Sequence, residues 1–328
     1  MELKVYTLEE ISKKIENEIL NSFPQEEPAN LYEPIKYIMF SKGKRLRPLL
    51  SILACGMVSN EIENAIKPAV AFELLHNFTL IHDDIMDQSP TRRGRATVHK
   101  KWNEAIAILA GDLLLALAYR KISESLPNDI HSKVIQTFND SFVEVCEGQG
   151  YDMDFEDKKD IIPVDYFKMI DKKTAKLLEK AIVAGGQIGG ANEDQLSALS
   201  SVGYNLGLGF QLQDDLLDLT ADNEKFGKAI GKDLVEGKKT LIILKAKEMF
   251  NDTPDINLLN KFYAENGLQG SDVIKMIEAL HKNGVFDIIK KEISYYFQSI
   301  KSSLKIFEEN HYKELFTQVL NFTFSRDY

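Results

Sequence analysis

The chain has 328 residues, of which 44% are hydrophobic and 27% are charged, and its formal net charge is −10 at pH 7. This acidic balance argues against nucleic acid as a partner, because phosphate backbones are bound by basic surfaces. The 19 glycines and 9 prolines are few for this length, so long helices are favoured over a sheet with many tight turns.

Apolar residues recur at spacings of three and four along most of the chain, which is the period of amphipathic helices. The pattern predicts helices over residues 7–20, 31–41, 47–58, 62–88, 103–124, 131–152, 165–188, 194–220, 238–249, 256–264, 271–281 and 285–308. No stretch shows a series of alternating strands, and no linker rich in proline, serine or glycine divides the chain. We therefore predict a single all-α domain over residues 1–328, a multi-helix bundle around a common core.

Segments that direct a chain to a membrane or out of the cell are not apparent. The first 20 residues lack an apolar core and a small-residue cleavage site, so they are not read as a secretory signal. The most apolar segment, residues 105–119, is short and contains Asp112, which predicts a core helix and not a transmembrane span. Cys55 and Cys146 fit neither a disulfide framework nor a zinc site, so a reducing, cytoplasmic location is expected.

Two clusters of aspartates share the spacing DDxxD and lie about 130 residues apart. They comprise Asp83, Asp84 and Asp87, and then Asp214, Asp215 and Asp218. Residues four apart share one helix face, so Asp83 with Asp87, and Asp214 with Asp218, each present two carboxylates to one point. A polar, glycine-containing loop with basic residues follows each cluster, which gives the chain a weak two-fold repeat.

An acidic helix face exposed to water is the plain alternative, and for one isolated DDxxD it would be slightly favoured. Apolar neighbours such as Ile81, Ile85, Leu216 and Leu219 argue against it, because carboxylates in such surroundings need a partner. A calcium loop is disfavoured because its glycine and its twelve-residue oxygen spacing are missing. Oxygen ligands that leave room for water and phosphate suit Mg²⁺, which predicts paired sites for Mg²⁺ and a diphosphate.

A diphosphate substrate would also meet cationic side chains. The candidates are Lys44, Arg45 and Arg47 in GKRLRP, Arg92 and Arg93 in RRG, Lys172, Lys173 and Thr174 in DKKT, and Lys228, Lys232, Lys238 and Lys239 in the loop after the second cluster. For GKRLRP, a basic turn without function is an equally good interpretation, and Lys172, Lys232 and Lys239 are assigned to the ordinary surface. His76 lies on nearly the same helix face as Asp83, which makes a phosphate contact plausible, whereas His82 is assigned a structural role.

The motifs GKRLRP, HDDIMD, RRG, GQGYD, KKT, FQLQDDLLD, FGK and DLVEGKKT occur in this order. Together they resemble the trans-prenyl diphosphate synthases (polyprenyl synthetases) over roughly residues 40–240. The resemblance implies an all-α fold whose central cavity receives both aspartate clusters from opposing helices, usually in a homodimer. It also implies head-to-tail condensation of isopentenyl diphosphate with an allylic diphosphate.

The resemblance further implies roles for individual residues. Three Mg²⁺ ions would join Asp83, Asp87 and Asp214 to the allylic diphosphate, and the surrounding cations would be Arg92, Lys173, Lys228 and Lys238. Isopentenyl diphosphate would lie on Lys44, Arg47, His76 and Arg93. Thr174 and Gln211 would present oxygens to the allylic cation. For Asp84, Asp215 and Asp218 two roles stay open, which are water-mediated metal ligation and orientation of Lys228.

The family also places a chain-length determinant just before the first aspartate motif. Here the bulky Phe78 and the small Thr79 occupy those positions, which favours a geranylgeranyl (C20) product, with farnesyl (C15) close behind. On an ideal helix Thr79 is about 40° from Asp83 and Phe78 about 140°, so a plain core role for Phe78 is an equal alternative.

Two other functions are alternatives to this one. A class I terpene cyclase shares the ionisation chemistry, but it needs no site for a second diphosphate, and its second metal motif is typically of mixed composition. A non-catalytic partner subunit of a heteromeric synthase tends to lose one aspartate cluster, and this chain has both. Whether the C-terminal FSRDY, with Arg326, covers the site is left open.

Overall fold

The computed structural model of the protein describes residues 5–23, 26–41, 43–124, 126, 128–220 and 230–324. Its α-helices, numbered in chain order, are α1 (Leu8–Asn21), α2 (Ala29–Met39), α3 (Leu46–Ser59), α4 (Ile66–Met86), α5 (Val98–Lys101), α6 (Glu104–Ser123), α7 (Asn128–Asp157), α8 (Pro163–Ile170), α9 (Lys176–Ile188), α10 (Glu193–Thr220), α11 (Lys232–Val235), α12 (Leu241–Met249), α13 (Ile256–Glu265), α14 (Ser271–Lys282), α15 (Val285–Ser303) and α16 (His311–Phe324). Short 3₁₀ turns occupy Glu63–Ala65 and Leu304–Ile306. The all-α prediction is confirmed.

The chain forms two compact units, and each is described by itself. The first comprises Met1–Val143, Leu177–Ser200 and Lys305–Leu320. The second comprises Glu144–Lys176, Ser201–Leu304 and Asn321–Tyr328. The first aspartate cluster belongs to the first unit and the second cluster to the second unit, and a single domain over the whole chain stays a prediction. No helix in the described part of the chain is long and apolar enough to cross a membrane.

The core of the first unit is built around α4. Most of this helix is buried, on several of its sides, as expected of a helix that is apolar almost all round. Helix α6 lies against it, and Gly111 permits close approach, because a Cβ at this position would lie 2.3 Å from Nε2 of His82. The rigid, buried α4 therefore provides the platform for the first aspartate cluster at its C-terminal end.

A short hairpin follows α4, where the sequence predicted only a polar loop. Strand β1 (Thr91–Arg92) pairs antiparallel with β2 (Arg95–Ala96). Arg93 and Gly94, between them, have φ angles of 53° and 75°, and positive φ at both central positions is typical of a type I′ hairpin turn. Arg92 therefore has extended backbone and Arg93 has left-handed backbone, so the side chains of these two neighbours leave the chain in different directions.

The core of the second unit contains a π-helical segment, Asp171–Ala175, between α8 and α9. The sequence predicted one uninterrupted α-helix over residues 165–188. This prediction is corrected, because a π turn with one additional residue divides the helix. Two glycines make room for this segment. A Cβ at Gly148 of α7 would lie 2.2 Å from the backbone nitrogen of Lys173, and one at Gly207 of α10 would lie 2.3 Å from Cα of Ala175.

Helix α16 was missed in the sequence reading, which found no helix beyond residue 308. Its buried face is nevertheless regular, since Tyr312, Phe316 and Leu320 are 1%, 0% and 1% exposed and follow at intervals of four residues. The other predicted helices agree with the structure to within a few residues at their ends.

We expect Gly148→Ala to destabilise the protein by about 1–3 kcal/mol, because the new methyl group would collide with backbone that cannot rotate away. The matched control is Gly150→Ala on the same helix, where a Cβ meets nothing within 4 Å. There the loss of glycine flexibility should leave stability equal to or slightly above that of the wild type. Urea unfolding measures both, and equal stabilities for the two variants would contradict the close approach.

Candidate active site

The first aspartate cluster lies at the C-terminal end of α4. The backbone N–H of Asp87, the C-cap residue, donates to the carbonyl oxygen of Asp83 at 2.8 Å, so the i, i+4 relation extends to Asp87. Asp83 is partly buried and Asp87 is exposed. The C-terminal end of a helix dipole is itself negative, so carboxylates placed there favour the approach of a cation.

The middle aspartate of this cluster has a different environment. Asp84 is 1% exposed, and its Oδ1 accepts a hydrogen bond from Nε of Arg92 at 2.8 Å. This ion pair fastens β1 of the hairpin to α4. Asp84 therefore orients an arginine, a partner different from the Lys228 considered from the sequence, and Arg92 keeps a side chain that is 31% exposed.

Arginines converge on His76, on the same helix. Burial lowers the pKa of His76 well below its usual value, and the charges of Arg47, Arg93, Arg92 and Arg45 lower it further, in that order. His76 is therefore a neutral imidazole among guanidinium groups at physiological pH. The structure thus brings together three of the four residues predicted for isopentenyl diphosphate, and the fourth, Lys44, is exposed at the start of α3.

Two of these arginines offer donors to a ligand. Nε of Arg47 is buried and has no hydrogen-bond partner within the described residues, and burial lowers the pKa of this guanidinium to about 10, so it stays charged at neutral pH. Arg93 donates from Nη1 to Oγ of Ser41 at 3.0 Å. A Cβ at Gly43 would lie 3.1 Å from the same Nη1, so the GKRLRP loop passes directly beside it.

The counter-charge of this basic cluster is Glu73, which sequence reasoning missed. It is 3% exposed, and it accepts hydrogen bonds from Nη1 of Arg45 at 3.0 Å and from Nδ2 of Asn77 at 3.2 Å. Arg45 also donates to Glu16 at 3.0 Å and to the carbonyl oxygen of Met39. Arg45 is thus fully engaged in the fold. A signal for Glu73 existed, since it is the single charge in the apolar run PAVAFELL.

The predicted chain-length residues lie one turn before the cluster. Phe78 is 8% exposed, and its ring makes edge-on contacts with the rings of His82 and Phe142, with centroids 4.6 and 5.5 Å apart. Thr79 is 9% exposed, and its hydroxyl donates to the carbonyl oxygen of His76 at 2.8 Å. Phe78 therefore belongs to an aromatic cluster between α4 and α7 within the first unit.

In the second unit, four side chains form a continuous hydrogen-bonded chain. The hydroxyl of Thr174 donates to Oε1 of Gln211 at 2.9 Å, and Nε2 of Gln211 donates to Oδ1 of Asp215 at 2.8 Å. The hydroxyl of Tyr166 donates to Oδ2 of Asp215 at 2.6 Å. Three of these residues were predicted site residues. Tyr166 was not, because no local pattern around it indicates a contact with Asp215, 49 residues later in the chain.

The remaining members of the second cluster differ from each other. Asp214 is partly buried on α10. Asp218 accepts the backbone N–H of Asp233 on Oδ2 at 3.0 Å, so it holds the start of α11. Burial, followed by repulsion from Asp233, raises the pKa of Asp215 to about 7 and that of Asp218 to about 6. Asp233, the first residue of the motif DLVEGKKT, is a further acidic residue of this region, and the sequence predicted no role for it.

Three lysines of this unit are paired with carboxylates. Lys238 contacts Glu236 at 3.1 Å and Asp233 at 3.5 Å. Lys173 forms a salt bridge with Asp152 of the GQGYD motif. Lys172 bridges Glu144 and Glu147, in keeping with its assignment to the surface.

Lys228 and Arg326, which were singled out in the sequence, lie outside the described residues.

Among the described residues, no three His, Cys, Asp or Glu side chains enclose a metal ion by themselves. The donor set nevertheless fits Mg²⁺, which binds one or two carboxylates and completes its shell with water and substrate phosphates. In the second unit, Asp233 repels both Asp215 and Asp218, and a divalent cation bound nearby would relieve that repulsion.

Comparison with known proteins extends these observations to the whole chain. The polyprenyl synthetase family model matches residues 28–280. A geranylgeranyl diphosphate synthase of Methanosarcina mazei is 37% identical over 318 residues, which cover 97% of this chain and 96% of the relative. A geranylgeranyl diphosphate synthase of Sulfolobus acidocaldarius is 40% identical over 267 residues, covering 79% and 81%. The crystal structure of a geranylgeranyl pyrophosphate synthetase from Pyrococcus horikoshii has a TM-score of 0.90 and 36% identity, covering 98% and 97%.

An all-α fold with two DDxxD helices and a cluster of arginines beside the first defines a class of enzymes that act on diphosphates. The chain belongs to the polyprenyl synthetase family and is a prenyltransferase, a short-chain prenyl diphosphate synthase. The family, the enzyme class and the reaction class predicted from the sequence are confirmed. The terpene cyclase and the non-catalytic subunit are not favoured.

We expect His76 to make stability depend on pH. The pKa of His76 is lowered in the folded chain, so between that value and 6.5 only the unfolded chain binds the proton, and stability falls as the pH falls. His76→Gln should therefore remove about 1.4 kcal/mol of the stability lost between pH 7.5 and 5.5, because pH 5.5 is one unit below the unfolded pKa. Urea unfolding at both pH values measures this, and an equal loss in the wild type and the variant would contradict a neutral His76.

Proposed function

We propose that the enzyme condenses isopentenyl diphosphate with allylic diphosphates in a Mg²⁺-dependent ionisation, condensation and elimination, and that its main product is geranylgeranyl diphosphate. The observation that carries the proposal is the convergence of Arg47, Arg92 and Arg93 on His76, which lies on the helix whose last turn carries Asp83. A neutral imidazole can donate one hydrogen bond to a phosphate oxygen without adding charge, while the arginines supply charge and forked donors.

In this proposal the arginines divide between two substrates. Lys44, Arg47, His76 and Arg93 hold isopentenyl diphosphate, and the buried Nε of Arg47 gains a partner when the ligand binds. Arg92 is oriented by Asp84 and contacts the allylic diphosphate, together with Lys173, Lys228 and Lys238. Holding both diphosphates at fixed points brings the alkene of one substrate to the reacting carbon of the other, which supplies the proximity part of the rate enhancement.

Asp83, Asp87 and Asp214 are the proposed ligands of Mg²⁺, with three ions expected. Bound Mg²⁺ stabilises the negative charge that develops on the departing diphosphate. Thr174 and Gln211 present oxygens to the allylic cation, and apolar walls exclude water from it. No side chain is assigned as general base, and the released diphosphate accepts the proton.

The C20 product is supported by Phe78, a buried ring next to the small Thr79 on the helix of the first cluster. The curated relatives named above are geranylgeranyl diphosphate synthases, which favours the same length.

A cytoplasmic location is part of the proposal and is supported by the exposed thiol of Cys146, which suits a reducing compartment. Cell fractionation tests it, and recovery in an oxidising compartment would contradict it.

We expect product analysis of the purified enzyme to give geranylgeraniol. The chain is incubated with Mg²⁺, isopentenyl diphosphate and each of the C5, C10 and C15 allylic diphosphates, and the dephosphorylated alcohols are identified by mass. Asp83→Asn serves as the inactive control, because it removes a proposed metal ligand while keeping the side-chain volume. No condensation with any primer in a folded wild-type protein would overturn the proposed function.

The same assay tests the chain-length assignment. Phe78→Ala should lengthen the main product by one or more C5 units, because the ring is replaced by space next to Phe142. Phe72→Leu, a milder change at a fully buried ring six residues earlier on α4, should leave the length unchanged. An unchanged product in Phe78→Ala would assign Phe78 to the core alone.

We also expect a homodimer. Helices α6 and α7 of the first unit expose Ile108, Leu109 and Val143, which are 47%, 50% and 56% exposed, and apolar groups at this exposure favour a protein contact. Light scattering after size exclusion should give about twice the 37.2 kDa of the chain, and Leu109→Glu should shift the protein toward monomer. A monomeric wild type at micromolar concentration would contradict the expectation.

A further inference from the structure

In the hydrogen-bonded chain of the second unit, each group has a fixed role as donor or acceptor. Asp215, at which two of the bonds end, determines these roles. Both carboxylate oxygens of Asp215 accept a hydrogen bond, Oδ1 from Gln211 at 2.8 Å and Oδ2 from Tyr166 at 2.6 Å. Because Oδ1 of Asp215 accepts this bond, the amide group of Gln211 has its NH₂ turned toward Asp215. Its carbonyl oxygen then faces Thr174, which lies 2.9 Å away.

The orientation of Gln211 fixes the hydroxyl proton of Thr174. Because Oε1 of Gln211 is an acceptor only, the Thr174 hydroxyl must donate to it, and the lone pairs of its oxygen remain available on the opposite side. With the Gln211 amide reversed, the Thr174 oxygen would become the acceptor, and its proton would turn toward the substrate. A positive charge near Thr174 is stabilised by the first arrangement and repelled by the second.

Tyr166, which belongs to none of the sequence motifs, holds Asp215 in the orientation that fixes Gln211 and Thr174. It is 2% exposed, its ring packs in the core of the second unit beside Phe167, and its hydroxyl is buried with Asp215, which is 6% exposed. Without that hydroxyl, Oδ2 of Asp215 would be a buried carboxylate oxygen lacking this donor, and such a group rotates or admits water to regain a partner. Rotation of Asp215 would release the Gln211 amide.

The backbone on the other side of Thr174 is held equally firmly. Thr174 belongs to the π-helical segment, and this segment lies against α7 at Gly148 and against α10 at Gly207. The hydroxyl of Thr174 therefore has a fixed origin, and the hydrogen-bonded chain through Gln211 decides only where its proton points. Fixed dipoles that need no reorganisation during the reaction contribute most to stabilising a developing charge.

We propose that Tyr166 is a positioning residue for the prenyl transfer, acting through Asp215 and Gln211 to aim the Thr174 oxygen lone pairs at the allylic cation. The inference rests on the proposed function, because it takes from it that Thr174 faces the reacting carbon. Asp215 then has a role distinct from that of Asp214, since it orients the oxygens facing the cation and does not need to ligate metal.

The test is the effect of Tyr166→Phe, which keeps the ring and removes the hydroxyl. We expect kcat to fall about tenfold while KM for each diphosphate stays within about twofold, because the diphosphates bind elsewhere. In a Thr174→Val background, Tyr166→Phe should lower kcat by less than about twofold, since the hydroxyl it aims is gone. In a Thr174→Ser background, which keeps the hydroxyl, Tyr166→Phe should again lower kcat about tenfold.

The matched control is Tyr263→Phe in the same unit, whose buried hydroxyl has no hydrogen-bond partner within the described residues. Its kcat should equal that of the wild type. A Tyr166→Phe enzyme with wild-type kcat, or one whose loss is the same in the wild-type and Thr174→Val backgrounds, would show a structural role only and overturn the inference. A folded wild type inactive with every substrate pair would instead overturn the proposed function, and this inference with it.

Discussion

A charge buried among apolar side chains is stable only beside an opposite charge or good hydrogen-bond donors, and both units of this enzyme are arranged to meet that constraint. In the first unit, Glu73 is buried with Arg45, and Asp84 is buried with Arg92. These pairs fix the start of α3, which carries Arg47, and the hairpin, which carries Arg93. The internal ion pairs thus hold the fold, and the positive charge beyond them is what the diphosphate of the proposed reaction would meet.

Close backbone contact sets the remaining geometry. Gly148 and Gly207 allow the π-helical segment to lie directly against two helices, and Gly94 allows the tight turn after Arg93. A π turn adds one residue to a helix and shifts the side chains after it, and such turns are frequent at functional sites. Thr174 lies in this segment, so its position depends on the helices that enclose it as much as on its own sequence.

The sequence carries the local information well. The helical period predicts nearly every helix, and the spacing of Asp83 and Asp87 predicts the shared face that the backbone bond between them preserves. What it does not carry is long-range pairing. Tyr166 meets Asp215 across 49 residues and Arg45 meets Glu73 across 28, and no periodicity links such positions. The π segment is also hidden, because its cause is the absence of a side chain at Gly148 in a different helix.

The two aspartate motifs show how one spacing yields several roles. In each motif the first two aspartates are neighbours, and a helix places neighbours about 100° apart, so they cannot share an environment. The second of each pair turns inward, where Asp84 meets Arg92 and Asp215 meets Tyr166 and Gln211. The first, Asp83 or Asp214, stays partly exposed, where a cation from solvent can reach it. Under the proposed function, the doubled aspartate combines one residue that would bind the metal with one residue that holds the protein groups around it.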